Sequence, residues 1–252
     1  MTSTRTTRVW LAVAGSAVVA AAVVIPIVLT HGGNDGSYTG GPRPVTAAEA
    51  ERLATMRVTN FEAVGVAFHA NVAAAQGSVT VNGDVDFHTL TGYGEVSSKN
   101  AASYTIEWNP SRLIAWRSSG RPTAAPAALP VTPPRERALS PSTSGVDTVL
   151  ALLLGLGESR PDDAGQVRQD GARWLRTATL DGETVDVMQG PSAKGAGHGS
   201  DTSLDFWVDR TGHLLRVDAY LSGVTTPSEI DLDPNGYTGV PTSAYLTADS
   251  SS

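Results

Sequence analysis

The chain has 252 residues, a net charge of −7 at neutral pH and no cysteine. This length accommodates one domain of ordinary size with appendages. The acidic balance argues against a nucleic-acid partner, because a sequence-independent grip on phosphates needs clustered Lys and Arg. The absence of cysteine excludes disulfides, thiolate metal ligands, thiol nucleophiles and the acceptor of a bacterial lipid anchor.

An apolar segment without charges, residues 9–29, dominates the N-terminus. Its length of roughly 20 residues is what a helix needs to cross a bilayer. Arg5 and Arg8 precede it and no Lys or Arg follows before Arg43, so the positive-inside rule leaves the N-terminus in the cytosol. We predict a cytosolic stub and a transmembrane helix over residues 1–30, with the C-terminal domain outside the cell membrane. A cleaved signal peptide is the alternative, although the large residues that end the segment do not fit a cleavage site.

Composition divides the rest of the chain into three parts. Residues 31–45 are Gly-rich and polar, which is typical of a flexible linker. Residues 46–245 are predicted to form the extracytoplasmic domain, and residues 246–252 a disordered tail. Thr46 and Glu49 have the spacing of a capping box and predict the start of a helix.

Most of the domain shows the period-two alternation of β-strands. Strand patterns cover residues 65–72, 78–87, 91–98, 103–108, 112–119, 173–180, 183–189, 203–209, 214–223 and 230–234. Asn82-Gly83 and Asp181-Gly182 are both predicted to be tight hairpin turns, because such turns need positive φ. Helical patterns cover residues 46–56 and 145–156, and the second is apolar on almost all sides. The Pro-rich residues 120–144 are predicted to be a long ordered loop or a linker. This arrangement predicts an α+β fold in which a curved antiparallel sheet, a half-barrel, covers a few short helices.

The hairpin over residues 203–223 is apolar on one face and polar on the other, which is typical of a sheet covered on one side. Because two short helices are few for so many strands, a curved sheet would leave an apolar hollow. The residues predicted to line it are Leu150, Leu153, Leu154, Leu204, Phe206, Val208, Leu215, Val217 and Leu221. A filled core fits the same pattern equally well, because alternation does not distinguish a lining residue from a core residue.

Short motifs in the hairpin and its neighbours resemble a known family. These are Trp207-Val208-Asp209, Gly212 and Arg216, within residues 205–223, together with residues 173–187 and the helical residues 141–156. They are similar to the mycobacterial LppX/LprG group of lipoproteins, relatives of the carrier LolA, and the resemblance covers residues 46–235. It implies a half-barrel of antiparallel strands around helices, with a cavity for acyl chains. The family's lipobox Cys is missing here, and the apolar segment stands in its place.

Signals for catalysis or metal binding are weak. The histidines His69, His88, His198 and His213 lie in different predicted elements without metal-ligand spacing. Residues 231–236 match the first half of an EF-hand loop, but Thr242 stands where a bidentate Glu is needed. No catalytic residue, metal or cofactor is predicted. The predicted function is a membrane-anchored extracytoplasmic protein, not an enzyme, that binds a lipid or another long apolar ligand. The alternative is a cell-surface interaction or sensory module with the same fold and a filled core.

Overall fold

The computed structural model describes residues 41–74, 77–99, 101–117, 135–191, 203–241 and 246. The predicted transmembrane segment lies outside these residues, as do most of the linker and nearly all of the predicted tail. None of the helices in the described part of the chain has the length and apolarity to cross a bilayer.

The described residues form a single sheet of twelve antiparallel strands. The strands are β1 Arg43–Pro44, β2 Gly65–Ala74, β3 Gly77–Asp86, β4 Thr91–Ser98, β5 Tyr104–Trp108, β6 Arg112–Arg117, β7 Arg135–Ala138, β8 Arg173–Leu180, β9 Glu183–Gln189, β10 Ser203–Val208, β11 Leu214–Tyr220 and β12 Ser228–Asp233. The helices are α1 Ala47–Glu62, α2 Gly145–Leu154 and α3 Ala164–Gln169, and a 3₁₀ helix covers Pro234–Gly236. The strand order is β1-β8-β9-β10-β11-β12-β2-β3-β4-β5-β6-β7, so the sheet is open. The predicted α+β class with an antiparallel sheet is therefore confirmed.

Local signals place several elements correctly. At the start of α1 the Glu49 N–H donates to Thr46 Oγ1 at 3.3 Å, and the Thr46 N–H donates to the Glu49 carboxylate at 2.8 Å. This is the predicted capping box, and α1 continues beyond the predicted residue 56 to Glu62. The Asp181-Gly182 turn is also confirmed, with φ of 50° and 85° at its two residues. Strand β7 was not predicted, since it lies inside the Pro-rich segment.

The predicted turn at Asn82-Gly83 is wrong, because both residues lie inside β3. Gly83 pairs with Gly94 of the neighbouring strand. A Cβ atom at Gly83 would lie 2.1 Å from the Tyr93 carbonyl oxygen, so glycine is needed here for close approach of the two strands. The dipeptide that is typical of a turn therefore serves strand packing instead.

The main core lies on one face of the sheet, which we call the concave face because α1 and α2 pack against it. Trp108 is fully buried there, and its indole Nε1 donates to the Leu150 carbonyl of α2 at 3.1 Å. A Cβ atom at Gly145 would lie 3.2 Å from Leu221 and 3.7 Å from Val72, which places the start of α2 over those two strands. Helix α2 therefore crosses the concave face from the ends of β2 and β11 toward Trp108.

The C-terminal segment packs on the opposite, convex face of the sheet. Three side chains on that face form a small second core with Val240 and Leu246; they are Tyr93, Ile114 and Trp116. The Tyr237 hydroxyl donates to Asp86 Oδ2 at 2.9 Å, and burial followed by this hydrogen bond raises the pKa of Tyr237 to about 12. The two faces of the sheet thus carry separate apolar clusters.

Candidate apolar ligand site on the concave face

The residues predicted to line a hollow mostly belong to the main core. Seven are members of it: Leu150, Leu153, Leu154, Phe206, Val208, Val217 and Leu221. Leu204 is half-buried and packs against it. Leu150, Leu153, Val208 and Val217 expose none of their surface. A side chain with no accessible surface adjoins no void as large as a water molecule, so these four contact a ligand only if α2 or a strand moves. Their role in ligand binding stays a prediction.

Leu215 is not placed on the core face that its spacing predicts. Trp207 pairs with Arg216, whereas Val208 pairs with Leu214, so β11 has one extra residue at this point. Leu214 is fully buried in the core, and Leu215 is half-buried and lies outside it. A bulge of this kind changes the parity of a strand, which is why counting by two from Val217 selects the wrong leucine.

The concave face is less completely covered at one end of the sheet. We call this the upper end: β2, β4, β6, β9 and β11 finish there. Four half-buried residues on β3 to β6 face the concave side near this end: Val79, Val96, Tyr104 and Ala115. Val96 pairs with Tyr104, and Ala115 pairs with the core residue Ile106. We call these four residues the apolar rim. They offer apolar surface to a ligand without movement of α2.

Two arginines share the concave face with the apolar rim. Arg117 pairs with Tyr104, and Arg135 pairs with Ala115. Both are exposed, and in the part of the chain that the structure describes neither guanidinium has a hydrogen bond or an ion pair. Sequence reasoning missed them. For Arg117 the sequence did carry a signal. This residue occupies every second position with Leu113 and Ala115, so it is predicted to lie on the same, apolar face of the strand.

A third arginine on the same face is neutralised by helix α2. Arg137 donates to both carboxylate oxygens of Asp147, at 2.5 and 2.7 Å, and the Asp147 side chain is fully buried. Burial raises the pKa of Asp147, but hydrogen bonds from Arg137 and from the Ser140 N–H outweigh it, so this pKa lies below its usual value. The pair attaches the first turn of α2 to the edge strand β7.

The convex face carries two buried carboxylates opposite each other. Asp205 pairs with Asp218, and each has one buried oxygen without a hydrogen-bond partner. Burial, followed by the charge of Asp218, raises the pKa of Asp205. Burial also raises the pKa of Asp218, although its other oxygen accepts from Trp207 Nε1 at 2.8 Å. Like charges directly opposite across two strands are destabilising.

We expect Asp205→Asn to increase the free energy of unfolding at pH 7 by about 1 kcal/mol, because it removes a desolvated charge that faces another. Folding raises the pKa of the Asp205 carboxyl. Its contribution to stability is therefore fully present below about pH 4, where the group is protonated, and is lost as pH rises through the folded-state pKa. The gain should therefore disappear at pH 3. Urea denaturation at both pH values tests this, with the exposed Glu183→Gln, at the far end of β9, as control. A gain of equal size at pH 3, or a loss at pH 7, would contradict the expectation.

The residues weighed for calcium binding have other contacts. Asp231 accepts from Arg216 Nε at 2.5 Å, and the Asp233 carboxylate accepts from the Asn235 N–H at 3.0 Å. Within the described ranges, no group of three or more His, Asp or Glu side chains is placed to hold a metal ion. His198 lies outside those ranges.

No protein-family model matches the chain, and no curated protein shows significant sequence similarity to it. Among solved structures, the chain is similar to Mycobacterium tuberculosis lipoprotein LppX, with a TM-score of 0.43 and 12% identity over 77% of this chain and 96% of LppX. It is similar to MucB with a TM-score of 0.35 and 14% identity over 81% of this chain and 63% of MucB. It is also similar to a DUF1329 family protein from Desulfovibrio piger, with a TM-score of 0.35 and 12% identity over 80% of this chain and 98% of that protein. The resemblance to LppX that the sequence predicts is confirmed by the first match. At these identities and TM-scores the likeness carries no information about ligand or activity.

Proposed function

We propose that the chain is a membrane-tethered extracytoplasmic domain that binds a lipid or another long apolar ligand on the concave face of its open sheet, without catalysis. The observation that carries the proposal is the apolar rim, a group of half-buried side chains that continues the closed core toward the upper end. The uncharged segment over residues 9–29 supports the tether, because it has the length of a bilayer-spanning helix.

Energetics permit reversible loading on such a surface. Burying roughly ten methylenes at about 0.8 kcal/mol each stabilises a bound acyl chain by on the order of 8 kcal/mol relative to water, before ordering costs. This corresponds to a dissociation constant near micromolar. Relative to a bilayer the same chain gains almost nothing, so a domain held at the membrane can load and unload.

Native mass spectrometry of residues 41–252, which contain every described strand and helix, tests the proposal when the protein is purified without detergent. Bound lipid and saturable binding of a fluorescent fatty acid are expected. We expect Val96→Glu to weaken probe binding at least tenfold, because it places a carboxylate on the apolar rim. Ser97→Glu is the matched control, since Ser97 is the next residue of β4 and faces the convex side. Equal effects of the two variants, or a ligand-free mass without probe binding, would overturn the proposal.

A second candidate function is a cell-surface interaction or sensory module with a filled core. It is favoured by the complete enclosure of Leu150 and Leu153, which leaves no accessible surface between α2 and the sheet at these residues. For this candidate the mass spectrum shows the bare chain, and Val96→Glu alters stability without any ligand effect. The same experiment therefore separates the two.

A further inference from the structure

We propose that the concave face selects amphiphiles with an anionic headgroup, with Arg117 and Arg135 binding the headgroup and the apolar rim contacting the tail. This inference rests on the proposed function and names the class of its ligand. The chemistry common to such ligands is a carboxylate or phosphate attached to a long acyl chain.

The sheet register places the two arginines beside the rim on the same face. Arg117 is the last residue of β6 and pairs with Tyr104, which in turn lies opposite Val96 across the next strand pair. Arg135 is the first residue of β7 and pairs with Ala115. The contact of Arg137 with α2, two residues along β7, confirms that this parity faces the concave side. Two cations therefore adjoin the half-buried apolar surface at the upper end.

Among the residues that the structure describes, no carboxylate on this face is available to neutralise them. Asp147 is buried and committed to Arg137. Glu136 alternates onto the convex face with Ile114, and it accepts from Arg112 at 2.9 Å. In a chain of net charge −7, two unpaired guanidinium groups at the edge of an apolar surface are a local excess of positive charge. A ligand with an anionic head supplies the missing partner.

Guanidinium groups suit this role because their planar donors match carboxylate and phosphate oxygens bidentately. The headgroup would lie at β6 and β7, and the tail would cross β5, β4 and β3. Three strand spacings correspond to roughly 15 Å, which a long acyl chain spans. Since both arginines are exposed, salt should weaken the headgroup contact. A neutral lipid with the same tail gains the apolar contact alone.

The test uses the full chain in amphipol, with dansyl-labelled undecanoic acid as the fluorescent probe. Oleic acid, oleoyl lysophosphatidic acid and monooleoylglycerol compete for it; these competitors share one tail and differ in headgroup. Both anionic competitors are expected to have dissociation constants at least tenfold lower than that of the neutral one. Added NaCl should reduce this difference. A preference for only one anionic competitor identifies the carboxylate or the phosphate as the preferred head.

In Arg117→Gln/Arg135→Gln the affinity for the anionic competitors should fall at least tenfold, while that for monooleoylglycerol changes less than twofold. Arg210→Gln, an exposed arginine in the β10–β11 turn at the opposite end, is the control and should leave both unchanged. Equal affinity of the wild type for all three competitors overturns this inference and leaves the proposed function standing. An equal loss of affinity for charged and neutral competitors in the double variant also overturns it, because the arginines would then stabilise the fold and not bind the headgroup. Absence of any probe binding overturns both proposals.

Discussion

Replacing Trp108 by alanine is expected to lower the free energy of unfolding by about 3–5 kcal/mol, the usual cost of removing a buried Trp side chain. Trp108 is fully buried and packs edge-on against Phe68 with ring centroids 6.1 Å apart. Its Nε1 also donates to the Leu150 carbonyl, and this hydrogen bond would be lost. A Cβ atom at Gly92 would lie 2.1 Å from the Trp108 ring, which shows how closely the ring fills the space beside β4. Urea denaturation followed by circular dichroism measures the change.

Trp108→Phe is the matched control for this prediction. It keeps most of the ring volume and removes the indole N–H, so we expect a smaller loss of about 1–2 kcal/mol. A loss below about 1 kcal/mol for the alanine variant would mean that the site collapses around the missing ring and that Trp108 does not hold α2 on the sheet.

Arg137→Met is expected to lower the free energy of unfolding by about 3 kcal/mol. This value is near the lower end of the usual cost of breaking a buried ion pair, because the guanidinium is half-exposed. The cost arises at Asp147, whose fully buried carboxylate would lose its charge partner. The double variant Arg137→Met/Asp147→Asn removes the uncompensated charge as well, so it should recover most of the loss. Denaturation of the two single variants and the double variant gives the coupling energy.

The pH dependence of the same variant provides an independent check. Because folding lowers the pKa of Asp147, its stabilising contribution is present above about pH 4 and is lost as pH falls through the folded-state value. The difference between wild type and Arg137→Met should therefore shrink toward pH 3. A difference that stays constant with pH, or a double variant no more stable than the single one, would show that the pair does not hold α2 to β7.

Local sequence patterns located the elements well. Period-two alternation identified β4, β8 and β9 at their observed bounds, because a one-sided sheet imposes that alternation on each strand. The capping box at Thr46 and the Asp181-Gly182 turn were equally local, since each depends on backbone geometry within four residues. The short edge strand β7 had no such signal, because its four residues are all exposed and charged or small.

The candidate site was predicted less well, because its members meet only through strand register. The alternation of β11 selected Leu215, whereas the bulge opposite Trp207 brings Leu214 into the core. The apolar rim and Arg117 lie on strands that precede the Pro-rich segment, whereas Arg135 lies on β7, inside that segment. The proximity of Arg135 to the others depends on the pairing of β6 with β7, for which the sequence carries no local signal.

The sequence by itself determined the α+β class, the antiparallel strands with one apolar face, and the buried helix α2, because each follows from the spacing of apolar residues along a short stretch of chain. Only the tertiary structure decided that Gly83 faces Gly94, that Asp205 faces Asp218, and that Arg117 and Arg135 adjoin the apolar rim. These contacts join different strands, and a one-residue change of register would send every side chain of a strand to the other face. Register is set by the packing of the whole sheet against α1 and α2, and so it cannot be derived from any one strand.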